Sequence, residues 1–183
     1  VCHSDIHMAR NEWGGSTIYP IVPGHEIIGI VNKVGSKVKK FKVGDDVGVG
    51  VYVDSCGQCQ NCKNNLDHYC EKGIVLTYNS YEYGTRTITY GGYSKSIVVN
   101  QDYIVKIPQG MNKEKAAPLL CAGITTYSPL KNFKIGSNHK VGIAGLGGLG
   151  HMGLKFAVSF GANVTVFSTS ENKREESLSL GAH

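Results

Sequence analysis

Cys56-x2-Cys59-x2-Cys62-x7-Cys70 is the feature that most restricts this chain: four thiols fall within fifteen residues. They sit in a polar stretch, Ser55 to Lys72, that joins Val/Ile-rich segments and has little apolar content of its own. A loop of that length inside a compact domain needs something to organise it. Four thiolates on short spacers make a tetrahedral zinc site with every position filled by protein, which is a structural rather than a reactive site. Clustered cysteines also occur as disulfides, as incidental buried thiols and as iron–sulfur ligands. A chain of 183 residues buries enough surface to fold without disulfide staples. Reduced thiols, a bound metal and a cytoplasmic setting are therefore the expectation.

Composition removes several classes. The formal charge is +5, yet no Lys/Arg run exceeds two residues, so a phosphate-binding stripe is absent and no nucleic-acid partner is expected. That also counts against a zinc-ribbon nucleic-acid module, whose cysteines come as two separated pairs. No apolar run approaches the ~20 residues of a membrane helix, so no membrane partner is expected. The 24 glycines are scattered, which excludes collagen-like and low-complexity readings.

The pattern changes along the chain. Ile27–Val34, Val47–Val53 and Ser96–Ile107 read as strands, separated by turns at Gly35-Ser36, Gly44-Asp45 and Gly91-Gly92. From Glu114 to Phe133 a helix is expected. Lys140–Ala144 then reads as a strand, followed by a helix with apolar residues at Leu149, Met152, Gly153, Phe156, Ala157 and Phe160. Asn163–Phe167 is a second strand, followed by a polar turn and a helix to Leu180. That β–α–β–α order opens a parallel doubly wound sheet. The expected division is residues 1–122, a mainly β zinc-binding domain, and residues 123–183, the start of an α/β dinucleotide-binding domain. About sixty residues are too few for a whole domain of the second kind, so the chain reads as a piece, incomplete at both ends.

Two further constellations carry chemistry. Cys2, His25 and Cys121 are donors of the type zinc prefers, and two thiolates with one imidazole form a known catalytic set that leaves one position open. Each cysteine alone is more often a small buried hydrophobe and a lone His beside a Glu is usually structural, and only a fold can unite the three. Gly145-x-Gly147-x-x-Gly150, with Gly148 and Leu149 between, follows a strand and opens a helix, the context that makes the pattern a dinucleotide fingerprint. After the second strand come Ser168, Thr169 and Ser170, without a carboxylate at the strand tip, and then Lys173 and Arg174. Hydroxyls with two cations suit a 2′-phosphate, so NADP(H) is expected over NAD. A helix cap at Ser170 with a solvated basic turn is compatible with the same residues.

The segments Cys2–His7, Asn11–Gly14, Tyr19–Glu26, the four-cysteine stretch, Ala117–Gly123 and Gly145–His151 together resemble the zinc-dependent medium-chain alcohol dehydrogenases. The likeness is greatest to the cinnamyl alcohol dehydrogenase branch with its NADP-dependent aldehyde reductases. The resemblance implies a GroES-like β domain followed by a Rossmann domain, with the active site in the cleft between them. It implies a catalytic zinc on Cys2, His25 and Cys121, with Glu26 able to take the fourth position, and a structural zinc on Cys56, Cys59, Cys62 and Cys70. Asp5 would orient His25, and Ser4 and His7 would carry the proton while hydride passes between the substrate carbon and NADP(H). Trp13 and Tyr52 would line the substrate pocket. Implied partners are a small aldehyde or alcohol of cinnamyl type or broader range and, for the full-length protein, a second copy in a homodimer. A zinc-stabilised module of a dehydrogenase without activity of its own is the alternative.

Overall fold

The computed structural model describes all residues, Val1–His183, and divides into two compact units, Val1–Cys121 and Ala122–His183.

The first unit opens with α1 (His3–Ala9). Three short strands, β1 (Ile27–Ile30), β2 (Asp46–Val49) and later β5 (Ile104–Lys106), form an antiparallel sheet in the order β1-β2-β5. Ile27 pairs with Val49, and Val47 with Lys106. A second antiparallel pair joins β3 (Tyr52–Ser55) to β4 (Ile74–Leu76), with Ser55 opposite Ile74. It closes the neck of the cysteine loop, which holds one helical turn, α2 (Gln60–Lys63), and a 3-10 turn over Asp67–Tyr69.

The strands are shorter than the Val/Ile runs suggest. Val47–Val53 is two strands, not one, because the chain turns after Gly50, whose carbonyl accepts from the buried Thr77 hydroxyl. Of Ser96–Ile107 only Ile104–Lys106 is strand, since Asn100 caps a 3-10 turn over Gln101–Tyr103 by accepting from the Asp102 amide. β2 carries glycine for a packing reason. A Cβ on Gly48 would lie 2.9 Å from the Leu120 side chain, and one on Gly50 3.0 Å from the Leu120 carbonyl. The bare backbone lets the segment leading to Cys121 press against the sheet.

The continuous helix expected over Glu114–Phe133 is broken. It consists of α3 (Lys113–Ala116), a 3-10 turn over Ala117–Leu120, and α4 (Ala122–Asn132). Asn112 caps α3 through the Lys115 amide at 3.0 Å. Pro118 has no amide hydrogen to continue the ladder. Cys121, at φ −127° and ψ −81°, leaves helical space between the two pieces.

In the second unit β6 (Lys140–Ala144) and β7 (Asn163–Phe167) pair in parallel through α5 (Gly148–Ser159), and α6 (Arg174–Ser179) ends the fold. Leu154, Ala157 and Val164 are fully buried at the centre, with Leu146 and Ala162 beside them. Burying a side chain such as Leu154 contributes about 1.5–3 kcal/mol. Leu149, the first apolar residue of the helical pattern, is 47% exposed, because it lies in the first turn of α5 at the edge of the glycine loop. The buried Leu154 takes its place.

Candidate functional site

Three donors distant in sequence converge in the first unit. The His25 Nε2 lies 3.3 Å from the Cys121 Sγ, and that sulfur lies 4.0 Å from the Cys2 Sγ. All three ligand atoms fall within 4.8 Å of one another. Donors on a tetrahedral zinc with bonds of about 2.0–2.3 Å stand roughly 3.3–3.8 Å apart, so the set fits that ion.

Asp5 organises this centre. It is 3% exposed and every polar contact around it is a donor. Its Oδ1 accepts from the Gly24 amide at 3.0 Å and meets the His25 Nδ1 at 2.9 Å. Its Oδ2 accepts from the Tyr93 hydroxyl at 3.0 Å and the Cys2 amide at 3.3 Å. With Nδ1 committed to Asp5, Nε2 is the nitrogen that faces the sulfurs. Burial opposes charge on both partners, but their hydrogen bond and mutual attraction win. They hold the Asp5 carboxyl well below its usual range, while Asp5 and the Cys121 thiol lift the His25 pKa to about 10. A metal at this position must displace the proton from Nε2.

The neighbouring sequence candidates are distributed unevenly. The Ser4 hydroxyl accepts from the Cys2 thiol at 3.5 Å and so borders the donor set. His7 bonds instead to Glu12, and its ring packs near Trp13, which is 47% exposed. The Glu26 carboxylate is not one of the converged ligand atoms. Tyr52 packs edge-on against Tyr103.

The four cysteines of the loop also converge, their sulfurs within 4.8 Å of one another and all free of disulfides. The Cys62 Sγ is 3.4 Å from that of Cys59 and 3.9 Å from that of Cys56, again the edge lengths of a tetrahedral sulfur site. Amides of Cys59 and Cys56 donate to the sulfurs of Cys56 and Cys70, each at 3.4 Å. Ser55 lies 3.2 Å from the Cys62 sulfur and donates to Asp67, which Tyr103 also meets. The thiols do not ionise alike. At Cys70 burial opposes the thiolate, but the Cys56 amide and neighbouring groups prevail and lower the pKa to about 6. At Cys62 the Ser55 hydroxyl favours the thiolate, yet burial with Cys59 and Cys70 pushes the thiol up to about 12. Four thiolates so close need a cation to share.

In the second unit the glycine pattern has a steric basis. Gly145 has φ +86°. A Cβ on Gly150 would lie 1.9 Å from the Gly145 carbonyl, so the third glycine is obligatory for this turn. One on Gly147 or Gly148 would meet nothing within 4 Å, so the space beside the loop is free. Gly148, Leu149 and Gly150 form the first turn of α5, where helix amides lack intrahelical acceptors. This cradle fits a pyrophosphate. Around the tip of β7, the Ser168 hydroxyl accepts from the Ser170 amide at 3.1 Å, and Thr169 lies between them. Ser170 precedes the 3-10 turn over Glu171–Lys173 but makes no side-chain cap. The Lys173 ammonium donates to the Leu146 carbonyl of the glycine loop at 2.9 Å, whereas Arg174 is 75% exposed and 4.0 Å from Glu171.

Tyr93, Tyr78 and Ser55 escaped the sequence reading. Tyr78 packs its ring 5.9 Å from that of His25. The available signal was Gly91-Gly92, read only as a turn. A Cβ on Gly91 would lie 2.5 Å from the Gly24 carbonyl, and one on Gly92 2.3 Å from the Ile27 side chain. These glycines mark a close approach that delivers Tyr93 to Asp5.

Residues 1–109 match the family described as the alcohol dehydrogenase GroES-like domain. The whole chain is 57% identical to a probable formaldehyde dehydrogenase of Bacillus subtilis and covers 52% of that protein. It superposes along its full length on a cinnamyl alcohol dehydrogenase of Sorghum bicolor, with a TM-score of 0.95, 48% identity and 52% of that chain covered. A CAD from Helicobacter pylori, solved in complex with NADP(H), matches at a TM-score of 0.93 and 49% identity, again over 52% of its length. The chain thus spans about half the length of these relatives. No helix is long and apolar enough to cross a membrane.

Proposed function

The chain belongs to the alcohol dehydrogenase GroES-like family, and from that premise we propose that its parent protein is a zinc-dependent, NADP(H)-linked oxidoreductase of aldehydes and primary alcohols. On this reading residues 1–122 are the GroES-like zinc-binding domain and residues 123–183 begin a Rossmann domain. The observation that carries the reading is the convergence of Cys2, His25 and Cys121 around an imidazole held by Asp5. The relatives' names support alcohols and aldehydes as the substrate class, and cinnamyl-type compounds are the members we favour.

When bound, zinc supplies electrophilic stabilisation of a substrate oxygen and NADP(H) supplies or accepts hydride. Cys2, His25 and Cys121 hold the metal and are one donor short of zinc's usual four. Asp5 keeps the His25 proton on Nδ1 and leaves Nε2 facing the Cys121 sulfur. Ser4, beside Cys2, holds the substrate hydroxyl proton, and His7, partly open to solvent, passes it to water. Glu26 supplies a carboxylate next to His25 in sequence. Gly145, Gly147 and Gly150 admit the pyrophosphate, whose charge the first amides of α5 stabilise. Ser168, Thr169, Ser170, Lys173 and Arg174 would hold the 2′-phosphate, and Lys173, which donates to the Leu146 carbonyl, would supply a cation there. Cys56, Cys59, Cys62 and Cys70 hold a second zinc that shapes the loop and takes no part in chemistry.

Elemental analysis of the intact protein after exhaustive buffer exchange, with NADPH binding and cinnamaldehyde reduction in the same sample, tests the reading. Two zincs per chain, NADPH preferred over NADH and measurable reduction are expected. One zinc, bound by the four-cysteine loop alone, with no NADPH affinity would overturn it in favour of a zinc-stabilised module.

A further inference from the structure

We propose that His3 and His7 form a third metal site, exposed on α1, for a divalent late first-row cation such as Ni2+, Cu2+ or Zn2+. The two histidines are four residues apart on one short helix, the spacing by which a helical pair chelates a single ion. Their rings already lie over one another, with centroids 5.9 Å apart and planes 29° from parallel. His3 is exposed, so a side-chain rotation at the surface brings its nitrogen onto the ion that His7 holds.

The second observation is the carboxylate behind His7. Its Nδ1 meets the Glu12 Oε2 at 2.5 Å. A carboxylate on one ring nitrogen fixes the proton there and leaves the other nitrogen's lone pair free, the usual support of a metal-binding imidazole. The same relation exists within this unit between Asp5 and His25, where the free nitrogen faces two sulfurs. Glu12 and His7 repeat it at the surface, with 41% and 40% of their side chains exposed. Two imidazoles completed by water favour Ni2+, Cu2+ and Zn2+ over Mg2+ or Ca2+. Resting on the reading of His7 as the proton carrier, an ion on its Nε2 removes that nitrogen from proton transfer, so the same metal inhibits turnover.

Trp13 is the single tryptophan of the chain, and its ring centroid is 5.6 Å from that of His7. The test titrates Ni2+ into the intact, zinc-loaded protein while following the fluorescence that a Trp13→Phe variant loses, with bound nickel counted by equilibrium dialysis. Saturable quenching by one Ni2+ per chain is expected, abolished in His3→Gln and in His7→Gln. Glu12→Gln should weaken it by about tenfold. Far-UV circular dichroism on each variant checks that the fold is intact. Quenching that persists unchanged in both histidine variants would place the nickel at the cysteine centres and overturn the site, as would no quenching in the parent. Nickel that binds as expected but leaves NADPH-linked turnover untouched supports the site and defeats only the proton-carrier reading of His7.

Discussion

The two cysteine-bearing centres solve the same coordination problem in opposite ways. In the loop, all four donors come from one short stretch, and the structure around them is helical turns and amides aimed at sulfur. At the other centre, the donors come from positions up to 119 residues apart, and a pre-formed fold holds them. The loop has almost no buried apolar residues beyond its own Cys62 and Cys70, so on the proposed reading its cohesion comes from the metal. The Cys2–His25–Cys121 centre instead leans on a buried carboxylate and on glycines that let backbones touch. On the proposed function, the closed, self-contained site serves stability and the assembled one serves chemistry.

The sharpest way to break this contrast is to remove one donor from each. Cys62→Ser should release one zinc and lower the stability of the first unit by more than about 4 kcal/mol, roughly 10 °C or more in a chain of this size. Limited proteolysis should then cut between residues 56 and 73. Cys121→Ser should also release one zinc but leave the unfolding temperature within a few degrees of the parent. Calorimetry beside zinc analysis checks both, and equal losses of stability would erase the distinction. A smaller effect tests the carboxylate. Asp5→Asn keeps the shape but weakens the hold on His25, so zinc affinity at that centre alone should fall about 10–100-fold, read by competition with a chromogenic chelator. The smallest change is Tyr93→Phe. Losing one hydrogen bond to a charged acceptor costs about 1.5–3 kcal/mol at most, and the remaining donors to Asp5 keep the drop in zinc affinity near tenfold.

What was legible in the residues follows the same divide. Spacing alone exposed the four-cysteine loop, because its ligands are neighbours in the chain. The strands at Lys140–Ala144 and Asn163–Phe167 were also readable, since short runs rich in β-branched residues and bounded by polar residues leave a clear local pattern. The break at Cys121 was not. Ala, Leu and Ile around it all favour helix, and only the need to turn a thiol inward, helped by Pro118, overrides them. Tyr93 and Ser55 were invisible for a related reason. Their importance lies in partners far along the chain or across a strand pair, and residue type carries no trace of that.

The separation of Cys2 from Cys121 also has a consequence in time. As the chain leaves the ribosome, the loop's donors are complete once Cys70 has emerged, and a short closed segment pays little entropy to gather around an ion. The other centre must wait for Cys121 and for the sheet that Leu120 packs against. On the proposed two-zinc reading, metal enters this molecule in a set order, and the first ion shapes the protein before the second has a place to go.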